Sequence, residues 1–258
     1  MKPCRNYAAI QTRGYIMNKN ILSIGNDAKT IKGNTIGYLT GILYLAPSNI
    51  SGYQVCVMAK KANCEGACLY TAGRGAFTSI QNARIAKTKR FFEERDAFMN
   101  DLVFSIKSLV RKANKAGLTP LVRLNGTSDI LWENTPLTID GVQYANIMAA
   151  FPDIQFYDYT KIPTRKNIPE NYDLTFSYSG VSSYKVAVSK AKLNANLSRI
   201  AVVFDKVENI PTQFLGRDVL SGDNSDVRHL DTKNTIIALY AKGKAKKDST
   251  GFVVKLGV

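Results

Sequence analysis

Apolar residues recur along this chain with two different spacings, and each spacing predicts one kind of secondary structure. From residue 76 to residue 117 almost no helix breaker occurs, and apolar side chains repeat every three or four positions. The repeating positions are Met99, Leu102, Val103, Ile106, Leu109, Val110 and Ala113. They form one stripe, which predicts a long helix with a bend near Asp96 and an end at Gly117.

Short apolar runs that end in polar or glycine residues predict β-strands. The first run, TIGYLTGILYLA at residues 35–46, is apolar on both faces, as expected of a strand that is covered on both sides. Five more runs occur in TPLVRLNGTSD (119–129), IQFYDYTK (154–161), YDLTFSYSG (172–180), SRIAVVFDK (198–206) and NTIIALYAKGK (234–244). Helical patterns fit at 142–150 and 182–195 between them, and this alternation predicts parallel strands.

The alternation predicts an α/β fold in one domain, a (β/α) barrel or partial barrel with mostly parallel strands. We expect residues 1–19 to be an N-terminal extension, residues 20–258 to form the domain, and residues 47–75 to be a loop that carries cysteines. Functional residues of such folds gather at the carboxyl ends of the strands. Asn125, Asp158, Ser177 and Asp205 each close a predicted strand, so we expect them on one rim with the cysteine loop.

Three of the four cysteines, Cys56, Cys64 and Cys68, lie within thirteen residues of one another, in the pattern C-x7-C-x3-C. Three thiolates can bind three irons of a four-iron cluster, or they can hold zinc with His229 or water as the fourth ligand. The third alternative is a group of small buried thiols without a metal. Cys4 is expected to be remote from this group.

Acidic residues at predicted strand ends and in one turn are candidates for catalysis. The segment SGDNSDVRHLD (221–231) offers Asp223 and Asp226 as paired carboxylates for magnesium. Asp129 and Asp158 add two carboxylates at the ends of strands, and together the four predict a metal-dependent nuclease. The alternative for the turn is a set of side chains that bond to their own backbone.

Basic residues occur where a phosphate would bind. Arg74 is flanked by glycines just before the long helix, and a helix start can bind a cofactor phosphate or a nucleic-acid backbone. Further basic residues open that helix and follow the last predicted strand: Arg84, Lys87, Lys89, Arg90, Lys242, Lys244, Lys246 and Lys247. The alternative for both groups is a solvated basic surface.

The charge of the whole chain favours a polyanionic partner. Lys and Arg number 35 against 20 Asp and Glu, so the formal charge is +15, and nucleic acid is the commonest partner of such a protein. Contacts to phosphates predict sequence-tolerant binding that weakens with salt, and aromatic residues at strand ends favour single strands through stacking. No feature of the sequence predicts a particular protein partner.

The apolar content and its distribution bear on location. At 45% hydrophobic residues the chain can bury a full core, but it contains neither a secretion leader nor an apolar run long enough for a membrane span. We therefore expect no membrane association and a cytoplasmic location. Thiols are kept reduced in that compartment, which favours metal or redox chemistry over a structural disulfide.

Several long segments resemble a bacteriophage family known as gene product 88. They are GYLTGILYLAPSNISGYQVC, CLYTAGRG, RIAKTKRFFEERDAFM, VRLNGTSDILWE, QFYDYTKIP, NYDLTFSYS and LSGDNSDVRHLD, and the resemblance covers roughly residues 20–258. It implies a phage context, with the infected bacterial host cell as the location, and it implies no mechanism.

A wider resemblance is to radical S-adenosylmethionine enzymes, which are α/β barrels with a three-cysteine loop between the first strand and the first helix. It implies a 4Fe-4S cluster on the three cysteines and S-adenosylmethionine as cofactor. The usual motif of those enzymes is C-x3-C-x2-C, whereas this chain has gaps of seven and three residues. Candidate cofactor-binding residues on this basis and on the predicted rim are Asn125, Gly126, Thr127, Ser128, Ser177 and Arg74.

Two hypotheses follow from these observations. The first is an enzyme with an iron–sulfur cluster, of the radical S-adenosylmethionine kind, that acts on nucleic acid or its precursors. The second is a basic nucleic-acid-binding phage protein in replication or DNA processing, whose cysteines are structural or bind zinc. Iron, sulfide and zinc content distinguishes the two.

Overall fold

Parallel strands form most of one large sheet in the computed structural model of this chain, which describes residues 19–25 and 28–256. The predicted N-terminal extension, with Cys4, lies almost wholly outside the described residues. The strands are β1 (Ser23–Ile24), β2 (Tyr38–Ile42), β3 (Thr119–Arg123), β4 (Leu137–Ile139), β5 (Val142–Tyr144), β6 (Gln155–Thr160), β7 (Tyr172–Ser177), β8 (Arg199–Phe204), β9 (Gln213–Phe214), β10 (Arg217–Ser221) and β11 (Ile236–Tyr240). The α-helices are α1 (Ala28–Asn34), α2 (Ser48–Ser51), α3 (Thr78–Glu93), α4 (Arg95–Lys115), α5 (Ile147–Ala150) and α6 (Lys185–Leu193).

Within the described residues, nine strands pair in the order β1-β2-β3-β6-β7-β8-β11-β10-β9. The six strands from β2 to β11 in this order follow their order in the chain, and all their pairs are parallel. The predicted large parallel sheet is therefore confirmed. The barrel is not closed, because the edge strands β1 and β9 do not pair with each other; each pairs only with its one neighbour, antiparallel.

The predicted long helix is present as α3 and α4, with Glu94 between them in a non-helical conformation. The apolar stripe of α4 is buried against the sheet, and Gly117, with a φ of +66°, follows the end of the helix in a conformation that favours glycine. The helix predicted at 142–150 is instead the β4–β5 hairpin followed by α5. Asp140 and Gly141 both have positive φ, as the two-residue turn of a hairpin requires.

The two faces of the sheet differ in character. One face is apolar, with Phe156, Phe176 and Val202 in the main core, and helices pack on it. The segment that connects β10 to β11 packs on the other face, where Asp226 accepts hydrogen bonds from Arg123 and Tyr157. This second face of the sheet is thus covered in part by the chain itself. In the described residues, no helix is both long and apolar enough to cross a bilayer.

Candidate metal centre

The cysteine loop, residues 47–75, crosses the carboxyl rim, which is the edge of the sheet where the parallel strands end. It leaves β2, and the carbonyl of Ala62 accepts a hydrogen bond from the hydroxyl of Ser179, just after β7, at 2.8 Å. Ala67 then packs against Ala241 and Ala245, which follow β11. The cysteine loop therefore runs along the carboxyl rim from the end of β2 to the segment that follows β11.

The three cysteines of this loop lie in one neighbourhood. Cys56, Cys64 and Cys68 are half-buried free thiols. Burial raises the pKa of each thiol, and both Cys64 and Cys68 raise the pKa of Cys56 further through their charge. The three thiols thus lie on one loop at the carboxyl rim, and their grouping around one metal or cluster stays a prediction.

The arrangement does not surround a single metal ion. In residues 19–25 and 28–256, no three His, Cys, Asp or Glu side chains are placed to hold one ion. His229, the predicted fourth zinc ligand, packs edge-on against Tyr38 at the opposite, amino end of β2. The structure therefore gives no support to zinc bound by the cysteines and His229.

Two residues from other segments of the chain lie at the thiols. Asp129, from the loop after β3, raises the pKa of Cys56 and of Cys64. Lys161, which directly follows β6, lowers the pKa of all three thiols. The sequence analysis assigned no role to Lys161, although it ends the polar segment YDYTK at a predicted strand end.

The polar side chains of the predicted cofactor loop, residues 125–128, form hydrogen bonds with other groups of the protein. The amide oxygen of Asn125 accepts from the Ser128 hydroxyl at 2.8 Å, and the Thr127 hydroxyl donates to the carbonyl of Leu45 at 2.6 Å. At Gly126 a Cβ atom would lie 2.7 Å from the carbonyl oxygen of Leu43, so glycine is needed for this close approach. These contacts fix the loop against the end of β2.

The two other cofactor candidates lie in different parts of the fold, Arg74 in the cysteine loop and Ser177 at the end of β7. Arg74 is exposed in a 3₁₀ turn just before α3. Ser177 is the last residue of β7, and its hydroxyl accepts a hydrogen bond from Lys161 Nζ at 3.0 Å. Ser177 thus lies at the carboxyl end of β7, and its role in cofactor binding stays a prediction.

The four predicted catalytic carboxylates do not form one group. Asp129 pairs with Arg165 at 3.3 Å, and Asp158, in the middle of β6, accepts the backbone N–H of Asn125 at 2.8 Å. Asp226 pairs with Arg123 at 3.0 Å, and Asp223 pairs with Lys242 at 3.3 Å. Each carboxylate is engaged by a donor of the protein, which is what a structural role requires.

The basic residues that open the long helix mostly face the protein. Arg84 is buried and donates to the carbonyl of Tyr70 at 2.7 Å, while Arg90 pairs with Asp101 at 2.7 Å. Lys87 donates to the carbonyl of Ile21, and burial lowers its pKa to about 8. Lys89 is exposed.

The basic tail after β11 is exposed at the carboxyl rim. Lys244, Lys246 and Lys247 lie in a 3₁₀ segment at 243–247 that contacts the cysteine loop at residues 69–71, and Lys242 is half-buried. Arg74 lies a few residues further along the same loop. The tail, but not the helix, therefore presents a group of solvent-exposed cations beside the cysteines.

A surface cavity of about 300 Å³ borders the centre. It is lined by Tyr178, Gly180 and several residues between Asp248 and Lys255. One of these lining residues, Tyr178, also accepts a hydrogen bond at its carbonyl from Lys161 at 3.4 Å, so the cavity lies next to Lys161.

Comparison with protein-family models gives one match. The model described as Gene product 88 matches residues 18–256, which is nearly the whole chain. Comparison with curated proteins and with solved structures gives no match.

Proposed function

The chain belongs to the gene product 88 family, and we propose that it is an iron–sulfur enzyme of this phage family. In this proposal Cys56, Cys64 and Cys68 each bind one iron of a four-iron cluster at the carboxyl rim. The observation that carries it is the presence of three free, half-buried thiols in one loop that crosses this rim.

The state of the thiols favours a cluster over nucleophilic catalysis. Their pKa values are raised by burial, so at neutral pH the thiols are protonated and react poorly as nucleophiles. Iron supplies the positive charge that deprotonates buried thiols.

A cluster and a single ion place different demands on the cysteines. Ligands of one zinc all lie about 2.3 Å from the same point, whereas the thiolates of a four-iron cluster bind different irons and are further apart. Metal content therefore separates the two proposals.

Three cysteines leave one iron of the cluster without a protein ligand. That iron is where a small-molecule cofactor or a substrate would bind, and S-adenosylmethionine is the cofactor implied by the sequence resemblance. The predicted cofactor loop at residues 125–128 binds other parts of the protein, which weakens the support for that cofactor. The proposal rests on the cluster and not on the identity of this ligand.

Metal analysis tests the proposal. We expect anaerobically purified protein, after incubation with iron and sulfide, to be brown and to contain about four irons and four sulfides per chain. Cys64→Ser should lose most of this iron, because one of three ligands is removed. Cys4→Ser is the matched control and should keep it. A colourless, iron-free wild-type protein would contradict the proposal, and stoichiometric zinc would favour the alternative.

A second candidate function is nucleic-acid binding, favoured by the exposed basic tail. Lys244, Lys246 and Lys247 lie beside the cysteine loop, which also carries the exposed Arg74. These cations and the formal charge of +15 would attract a phosphate backbone to the carboxyl rim. The two functions are compatible, because bound nucleic acid would then lie next to the cluster.

A further inference from the structure

A second surface cavity lies at the amino edge of the sheet, which is the edge opposite to the carboxyl rim. Its volume is about 230 Å³. The walls come from the end of α6 and the segment that leads to β8, from the start of β10, and from the residues just before β11. Three of the lining residues are cations, Lys192, Arg217 and Lys233, and none of them is a carboxylate.

The three cations of this cavity lack anionic partners. Within residues 19–25 and 28–256, none of them forms an ion pair with a carboxylate. Asp218 directly follows Arg217, but neighbouring residues of a strand point to opposite faces, and Gln213 donates to the Asp218 carboxylate at 3.0 Å. Because like charges repel, an anion inside the cavity would lower the electrostatic free energy of all three cations.

Arg217 is the half-buried member of the three. Its Nη1 donates to the carbonyl of Ser198 at 3.3 Å, and within the described part of the chain Nε and Nη2 remain available to a ligand. Burial lowers the pKa of Arg217, as expected when a cation leaves water without an anion beside it. A guanidinium group can bind two oxygens of a phosphate at once through parallel N–H donors.

Backbone contacts hold the walls of the cavity in place. The carbonyl of Ser198 accepts the backbone N–H of Asn234 at 2.7 Å as well as the guanidinium group of Arg217, so three segments of the chain meet at one oxygen. Leu215 and Gly216 have φ angles of +53° and +73°, as the two-residue turn of the β9–β10 hairpin requires. This turn fixes the backbone of Arg217, which directly follows it, so the site exists before a ligand arrives.

We propose that this cavity binds a doubly charged phosphate group, either as inorganic phosphate or as the phosphate of a small monoester. Three cations match the charge of about −2 on such a group better than the single charge of a phosphodiester. The volume is below the range of about 300–1,000 Å³ that is typical of sites for a whole small molecule, so the phosphate group is the part that enters. The site lies away from the cysteine loop and does not depend on the iron–sulfur proposal.

An NMR titration of ¹⁵N-labelled protein with inorganic phosphate, at ionic strength held constant with sodium chloride, tests the inference. We expect saturable shifts of amide signals that are confined to the residues around the cavity. Affinity should rise between about pH 5 and pH 7, because the second pKa of a phosphate group is about 6. The affinity for sulfate, which is a dianion throughout this range, should change less.

A second ligand distinguishes the two sources of the phosphate group. If ribose 5-phosphate binds at the same residues and more tightly than inorganic phosphate, the site accepts a phosphomonoester. If it binds there equally well or more weakly, the site is one for the free ion. Either result supports a phosphate site.

Matched variants test the role of the cations. Arg217→Gln should weaken phosphate binding by at least about tenfold, because it removes a charge and the paired donors. Arg111→Gln makes the same change at an exposed position of α4 and should keep the affinity of wild type. Changing Lys192 and Lys233 together to Gln should weaken binding about fivefold, and both positions are exposed, so the fold is not at risk.

Three results would overturn the inference. Shifts that spread over exposed lysines without saturation would show only the screening of surface charge. An affinity that is unchanged both in Arg217→Gln and in the double lysine variant would show that these cations do not bind the phosphate. Tighter binding at the cavity by an oligonucleotide without terminal phosphates would assign it to a nucleic-acid backbone instead.

Discussion

At the scale of single residues, Asp158 is a carboxyl group whose ionisation opposes folding. It is fully buried in β6, where it accepts the backbone N–H of Asn125 at 2.8 Å and the hydroxyl of Tyr172 at 2.9 Å. Burial raises its pKa from 3.8 to about 7, although Arg123 lies 3.8 Å away and acts in the opposite direction. The folded protein therefore holds a proton at mildly acidic pH that the unfolded chain has released.

The raised pKa predicts a specific pH dependence of stability. Between about pH 4 and pH 7 the folded state binds more protons than the unfolded state, so this group's contribution falls as pH rises, by up to about 1.4 kcal/mol per pH unit. Asp158→Asn should lose this dependence, so that its stability relative to wild type improves towards pH 7. Urea unfolding of both proteins across this range measures it.

An exposed carboxylate provides the control for this prediction. Asp153→Asn changes the charge in the same way at a solvent-exposed position, and it should leave the pH profile close to that of wild type. If the profiles of wild type and Asp158→Asn are parallel between pH 4 and pH 7, the carboxyl group is not protonated in the folded state as described.

At the scale of elements, the loop after β3 is held by one side chain. The Asn125 amide oxygen accepts from the backbone N–H of Ile130 at 2.9 Å and from the Trp132 indole at 3.1 Å, while its NH₂ group donates to the carbonyl of Ile130 at 3.0 Å. This loop places Asp129 beside the cysteine loop, where its backbone N–H donates to the carbonyl of Val55 at 2.7 Å, and it packs Trp132 against Phe91 of α3. The position of Asp129 thus depends on the shape of this loop.

Removal of the Asn125 side chain is expected to destabilise the whole protein. Asn125→Ala leaves the buried indole N–H of Trp132 and the backbone N–H of Ile130 without their acceptor, at a cost of about 3 kcal/mol. Ser128→Ala removes one donor to the same amide and should cost about 1 kcal/mol. Equal losses for the two variants in urea unfolding would contradict a central role of Asn125.

At the scale of the whole molecule, only some of the positive charges are exposed to solvent and free to attract a polyanion. Arg84 and Arg90 of the long helix bond to acceptors within the protein. Lys244, Lys246 and Lys247, in contrast, are exposed at the carboxyl rim. A formal charge of +15 alone does not say where a polyanion binds. The exposed tail is the place that the structure favours.

Binding to a mixed-sequence single-stranded oligonucleotide, followed by fluorescence anisotropy, measures this effect. Affinity should fall steeply between about 50 and 200 mM salt through counterion release. Changing Lys244, Lys246 and Lys247 together to Ala should weaken binding at low salt and reduce the salt dependence.

The matched control removes the same charge from the opposite edge of the sheet. Lys190, Lys192 and Lys233 are exposed near the amino ends of β8 and β11, and changing them to Ala should have a smaller effect. No affinity at low salt, or equal losses for the two triple variants, would exclude the tail as the binding site.

The sequence by itself determined the elements and the local grouping of the cysteines. The apolar stripe of α4 and the apolar runs of the parallel strands are periodic within short windows, and such patterns specify secondary structure locally. The pattern C-x7-C-x3-C likewise places three thiols in one loop whatever the rest of the chain does. The turn at Asp140 and Gly141 is also a local sequence signal, but the prediction of a helix at 142–150 missed the hairpin that this turn forms.

The tertiary structure alone decided which distant residues meet. Asp129 meets the cysteine loop through the carbonyl of Val55, 74 positions earlier in the chain, and the segment SGDNSDVRHLD packs on the polar face of the sheet, where Asp226 bonds Arg123 and Tyr157. It also decided that the sheet stays open, with antiparallel strands at both edges. The physical reason is that such contacts depend on burial summed over the whole sheet, which no short window of sequence contains.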